Sequence, residues 1–119
     1  MEDKKLLYLA AIEAAKSDCR YQVGALALVR DKIVSKGFNR HIRSKEPSSR
    51  KGEATIHAEQ LALHRTGGAQ VDSIFIVRNA ANGFSMALPC KRCMALIKRA
   101  GVSNVYYTDW YGQIQKLRV

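Results

Sequence analysis

Apolar residues first recur at a helical interval, Leu7, Ala10, Ala11, Ala14 and Ala15, which predicts a helix from about Asp3 to Lys16. The stretches "YQVGALALVR" and "KIVSKGF" then read as two buried strands joined through Asp31-Lys32 in a β-hairpin. Residues 39–53, "NRHIRSKEPSSRKGE", have no period and contain Gly, Pro and three serines, so they predict a loop. A second helix is expected from Thr55, a favourable N-cap type, through Ile56, Ala58, Leu61 and Ala62 to Gly67-Gly68. "DSIFIVR" predicts a third strand and "NAANGFSMAL" the loop after it.

Pro89 suits the first turn of a third helix, closed by Gly101, with Cys90, Cys93, Met94 and Ile97 on one face. Lys91, Arg92, Lys98 and Arg99 fall largely on the other face. "SNVYYTD" and "QIQKLRV" predict the last two strands, separated only by "WYG". A parallel crossover needs about a dozen residues, so these two strands should form an antiparallel hairpin. The order αββαβαββ describes an α/β domain with a mixed five-stranded sheet, helices packed on it and no internal repeat.

A chain of 119 residues, 47% hydrophobic and 25% charged, suits one domain with a single modest core. Glu13 and Lys16 interrupt the apolar N-terminal stretch, so no signal peptide is expected. No run approaches the roughly 20 apolar residues of a membrane span, so the expected setting is cytoplasmic, without a membrane partner. Twenty Lys and Arg against ten Asp and Glu leave a net charge of +10, which attracts polyanions. A basic surface can also serve solubility alone.

The three cysteines are an odd number, and two of them form Cys90-Lys91-Arg92-Cys93. In a reducing compartment that spacing favours a metal site or redox pair over a structural disulfide. Thiolates at i and i+3 of a helix start point the same way, and the helix dipole favours their ionised form. If the start of the second helix converges on them, His57 completes a tetrahedral Cys2His zinc set with the fourth position left to water. Zinc makes that water nucleophilic near neutral pH but does not carry its proton to a leaving group. Glu59, two residues past His57, can take the proton to a ring nitrogen and then to departing ammonia. Taken singly, the cysteines read as buried helix residues and Glu59 as a helix-start carboxylate; their combination favours the chemistry. Cys19 is expected as a packed side chain, His41 as a loop residue and His64 as a helix-surface residue.

His57-Ala58-Glu59, then residues 60–88, then Pro89-Cys90-Lys91-Arg92-Cys93 resembles the H-x-E…P-C-x-x-C signature of zinc-dependent cytidine and deoxycytidylate deaminases. "VGALALVRDKIVSKGFN" is similar to the hairpin that precedes the zinc helices in nucleotide and tRNA deaminases, so the resemblance covers nearly the whole chain. It implies a cytidine-deaminase-like three-layer α/β/α fold ending in a β-hairpin, with residues 1–119 as a single catalytic domain. It also implies one catalytic Zn2+ per chain, with its bound water or hydroxide, held by His57, Cys90 and Cys93, and Glu59 as the catalytic proton carrier. By the same likeness Asn39 contacts the substrate sugar or base, and the backbone N–H groups of Ala58 and Cys90 hold the base oxygen. The loop from Ser85 to Leu88 faces the amino group. Trp110 and Tyr111, at the turn after the fourth strand, either stack against the base or cover the sheet edge.

Two features depart from the best-known subfamilies. tRNA adenosine deaminases and deoxycytidylate deaminases place a helix between the last two strands, for which "DWYGQ" has no room. Nucleoside deaminases usually carry cysteine where this chain has His57. The expected activity is conversion of cytosine to uracil in a phosphorylated substrate, with the charge surplus tilting toward single-stranded DNA or RNA. Arg40, Arg43, Lys45, Arg50 and Lys51 either contact phosphates beside the pocket or remain solvated. The alternatives left open are a deoxycytidylate or cytidine nucleotide deaminase, an adenine deaminase, and a structural-zinc domain that binds nucleic acid without chemistry. A homo-oligomer is another use for the basic surface.

Overall fold

Helix α1 (Asp3–Ala14) leads into the hairpin of β1 (Val23–Val29) and β2 (Lys32–Phe38) in the computed structural model, which describes residues 3–41 and 55–119. Two short strands, β3 (Arg40–His41) and β4 (Thr55–Ile56), precede α2 (Ala58–His64). Then follow β5 (Ser73–Ala80), β6 (Gly83–Ser85), α3 (Lys91–Arg99), β7 (Asn104–Thr108) and β8 (Ile114–Arg118). The main sheet has six strands rather than the expected five: it runs β2-β1-β5-β7-β8 with the short β6 added against β5, and β5 and β7 are parallel while the other neighbours are antiparallel. The β7–β8 hairpin forms as its short connection requires.

Alternation along β1 sorts the core into two layers. Leu26 and Leu28 face α1 with Phe75 and Val77, whereas Ala25 and Ala27, with Ile74 and Ile76, pack against Ala58 and Ala62 of α2 and Ile97 of α3. The large side chains are fully buried, and each contributes roughly 1.5–3 kcal/mol of transfer free energy. Glycine sets how closely the helices lie. A Cβ on Gly24 would run into the backbone of Ala10 and Ala14 in α1, and one on Gly37 would lie 2.5 Å from both Ala58 O and Ala62 N in α2. The result is the expected three-layer α/β/α arrangement, with the starts of α2 and α3 at the end of the sheet where β5 finishes.

Several local expectations shift. The β1–β2 turn centres on Arg30 and Asp31, both left-handed at φ 49° and 66°, while Lys32 already pairs with Val29. Positive φ at both central residues is what a two-residue hairpin of matching twist demands. Thr55 is not the cap of α2: it lies on β4 and pairs with His41 of β3, so the helix starts later and His57 becomes its N-cap. The His57 N–H donates to Gln60 Oε1 at 2.9 Å, and α2 ends at His64, short of Gly67. Pro89 lies one residue ahead of the N-cap of α3, which is Cys90. The loop after β5 contains β6, which pairs with Arg78–Ala80 beyond the point where β7 stops. Gly101, at φ 83°, ends α3: its N–H bonds Lys98 O and the Val102 N–H bonds Ile97 O.

Candidate active site

The caps of α2 and α3 bring the paired motifs together. His57 and Cys90 both have extended N-cap backbones, φ/ψ −77°/152° and −67°/168°, which turn their side chains across the open helix ends. Cys93 follows one turn into α3. Its Sγ lies 3.1 Å from His57 Nδ1, and Cys90 Sγ lies 4.0 Å from the same nitrogen. All three ligand atoms fall within 4.8 Å of one another. A tetrahedral zinc with bonds near 2.0–2.3 Å separates its ligands by about 3.3–3.8 Å, so this set fits that ion with small adjustments.

The three donors differ in exposure: Cys93 is buried, His57 half-buried and Cys90 exposed. Burial, with Glu59 and Cys90 close by, pushes the Cys93 thiol far above its ordinary range. A thiolate there therefore needs a cation beside it, which is the condition a zinc site supplies. Glu59, in the first turn of α2, is only 5% exposed. Burial raises its carboxyl above the usual range, against its own backbone N–H and the nearby His57 and Cys93, which favour the ionised form.

A pocket opens over these groups, with His57, Ala58, Glu59 and Cys90 in its lining. Asn39, Met86 and Leu88 also line it, together with Tyr21, Val23 and Arg78. Of the expected substrate contacts, the structure therefore brings Asn39, Ala58 and Leu88 to the pocket. Asn39 is already engaged: its Oδ1 accepts from the Val23 N–H at 2.8 Å and its Nδ2 donates to Tyr21 O at 2.6 Å. It pins the start of β1 against the pocket wall.

Other expectations land elsewhere. Ser85 lines an adjoining concavity and, through its carbonyl, accepts from Thr108 Oγ1 at 2.6 Å. Trp110 and Tyr111 line neither space and are 67% and 89% exposed at the β7–β8 turn. The physical reason is Asp109, whose carboxylate accepts from the Tyr111 N–H, the Gln113 N–H and Gln115 Nε2, closing a tight turn that holds both rings outward. Arg43, Lys45, Arg50 and Lys51 lie outside the described residues, and Arg40 is on β3. Cys19 is half-buried beside Asp18 and His41, and His64 is exposed at the end of α2.

The sequence patterns did not single out Tyr21, Val23 or Arg78 as pocket residues. Arg78 had a weak signal, a cation at the end of the apolar run "SIFIV". Its neighbourhood depends on the pairing of β1 with β5, which sets Val23 opposite Arg78.

Residues 1–109 match the family model described as the cytidine and deoxycytidylate deaminase zinc-binding region. The chain belongs to that family. Among solved structures, the cytidine deaminase of Burkholderia pseudomallei has the same fold, with a TM-score of 0.75 at 20% identity over 99% of this chain and 93% of that one. The dCMP deaminase of cyanophage S-TIM5 gives 0.67 at 24% identity over 90% and 82%. The cytidine deaminase of Mycobacterium tuberculosis gives 0.63 at 28% identity over 90% and 84%. No match is found among curated proteins. As in a zinc-binding member of this deaminase family, the His57, Cys90 and Cys93 donors are compatible with a single Zn2+. No helix of the described residues is long and apolar enough to cross a membrane.

Proposed function

We propose that the chain is a zinc-dependent hydrolytic deaminase that converts cytosine to uracil in a phosphorylated substrate, with residues 1–119 acting as one catalytic unit. The observation that carries this reading is Glu59: a buried carboxylate lining the pocket directly beside the His57, Cys90 and Cys93 donors. A closed structural zinc site has no use for a proton carrier in that place. Zinc bound there supplies a water that ionises near neutral pH.

Glu59 accepts the proton that the attacking water gives up and passes it to the ring nitrogen, and then to the departing amine. A C–O bond forms, the C–N bond breaks, and ammonia leaves with one water consumed. Ala58 N–H, at the first residue of α2, and Cys90 N–H are the donors for the base oxygen in this reading. Asn39 keeps the wall that orients the sugar. Membership of the cytidine and deoxycytidylate family, with a Mycobacterium tuberculosis cytidine deaminase at 28% identity, supports cytosine over adenine. The net charge of +10 supports a phosphate-bearing substrate, with single-stranded DNA or RNA favoured over a free nucleotide.

The test incubates purified protein with cytidine, CMP, dCMP and single-stranded oligonucleotides and reads uracil formation by mass. One zinc per chain and uracil product are expected. Absence of stoichiometric zinc, or activity that survives Glu59→Ala, overturns the proposal.

A further inference from the structure

Beside the pocket lies a second, larger concavity that shares Tyr21 and Arg78 with it and adds Arg20, Gln22, Asn79 and Ser85. Two guanidiniums lie close to the exposed Tyr21 ring: Arg78 Cζ stands 4.1 Å from its centroid and Arg20 Cζ 5.4 Å. The ring face attracts both cations and restrains where they point. Among the described residues neither guanidinium is in an ion pair with a carboxylate. Two like charges are thus gathered near one ring without a paired carboxylate, and one of them, Arg78, also lines the pocket that contains His57 and Glu59.

An arginine presents a planar fork of N–H donors matched to phosphate and carboxylate oxygens alike, and two such positive charges at one site suit a phosphate, which can carry two negative charges, better than a singly charged carboxylate or a neutral sugar. Arg78 is fixed by the sheet, because it pairs in register with Val23 on β1 and with Ser85 on β6. Arg20 comes from the segment between α1 and β1, so the site joins two separate parts of the chain. We infer that Arg20, Tyr21 and Arg78 form a phosphate subsite, which takes the phosphate ester on the sugar whose base occupies the pocket. The inference rests on the deaminase reading for the identity of that base. The same chemistry serves a terminal phosphate of a nucleotide or a diester of a strand.

Calorimetric titration of the zinc-loaded protein with cytidine, CMP and a trinucleotide with central cytosine tests this, beside uracil formation from the same ligands. Wild type is expected to bind CMP more tightly than cytidine. Arg20→Ala is expected to shrink that CMP-to-cytidine affinity ratio by about 10- to 100-fold, the range for a lost charge-assisted hydrogen bond, and Arg78→Lys by less. An equal shrinkage for the trinucleotide assigns the subsite to a diester, and shrinkage for CMP alone assigns it to a terminal phosphate. A ratio unchanged in Arg20→Ala and in Arg78→Ala, or equal binding of cytidine and CMP by wild type, overturns the subsite. Phosphate-dependent binding without uracil formation rejects the reaction and leaves the subsite standing; uracil formation with an unchanged ratio does the reverse.

Discussion

His57 Nδ1 and Cys93 Sγ lie 3.1 Å apart although they are 36 positions apart in sequence. The contact exists because two helices begin at the same end of one sheet, each with a donor at its cap. A zinc ion held by His57, Cys90 and Cys93 therefore ties α2 to α3, and removing it should loosen both. With free zinc at about 100–1,000 times its Kd, binding stabilises the fold by roughly 2.7–4.1 kcal/mol. Chelation is expected to lower the thermal midpoint reversibly, with recovery on adding zinc back. A midpoint indifferent to chelator would remove the structural basis for the site.

Glu59→Gln keeps the size and the buried position of the side chain but cannot accept a proton. Uracil formation should fall about 10²- to 10⁴-fold, the usual contribution of a placed acid–base group, with zinc content still one per chain. Metal analysis and turnover of the same sample separate the two effects. Loss of zinc together with activity would instead assign Glu59 to holding the site.

Gly37→Ala places a methyl group 2.5 Å from Ala58 O and Ala62 N, so α2 must move away from β2. Overpacking of this kind costs about 1–3 kcal/mol, readable in a denaturant midpoint, and should also weaken zinc binding because His57 moves with α2. Gly24→Ala forces the same conflict between β1 and α1. It is expected to destabilise the protein while leaving zinc affinity close to wild type.

Much of this arrangement is legible in the sequence, for specific reasons. The buried strands announce themselves because Val23–Val29 and residues 74–77 carry no polar side chain on either face, as strands covered by helices on each side must. The ligand set was legible because its chemistry is local to two short motifs. Asn39, Trp110 and Tyr111 were harder, since their surroundings depend on hydrogen bonds that no periodicity reports: Asn39 to the Val23 and Tyr21 backbone, and the aromatic turn to Asp109. Thr55 was a plausible cap by residue type. Its pairing with His41, across residues 42–54, moved the helix start to His57. Arg78 and Tyr21 meet only through the pairing of β1 with β5, which is non-local by nature.

Asp109 gives the β7–β8 turn a pH dependence. Gln115, then the Gln113 and Tyr111 N–H groups, hold its carboxyl below the ordinary carboxylate range. A depressed native pKa means that its contribution is full above the unfolded value, about 3.9, and is lost as pH falls through the lower folded value. Amide exchange at Tyr111 and Gln113 should therefore be slow near neutrality and quicken, relative to intrinsic rates, below pH 4. Asp109→Ala should show the fast behaviour at every pH, with zinc content unaltered. Equal protection in wild type and variant would show that the turn holds without this carboxylate.

The strongest discrimination between a strand and a free nucleotide comes from salt. Lys91 is exposed immediately after Cys90 at the pocket rim, and Lys98 and Arg99 continue the exposed basic face of α3. A strand long enough to reach from the pocket past Arg20 and Arg78 to this face would meet several of these cations, whereas a mononucleotide held at the pocket would meet one or two. Each phosphate neutralised on a single strand adds about 0.7 to the magnitude of the slope of log K against log[salt]. Oligonucleotide binding is thus expected to fall with a slope of magnitude about 2–4, and CMP binding with one near 1 or less. Reversing Lys91 and Lys98 together to Glu should flatten the oligonucleotide slope by more than 1 while barely moving that for CMP. If oligonucleotide and CMP slopes coincide, the strand is not the substrate and the basic face of α3 has another use.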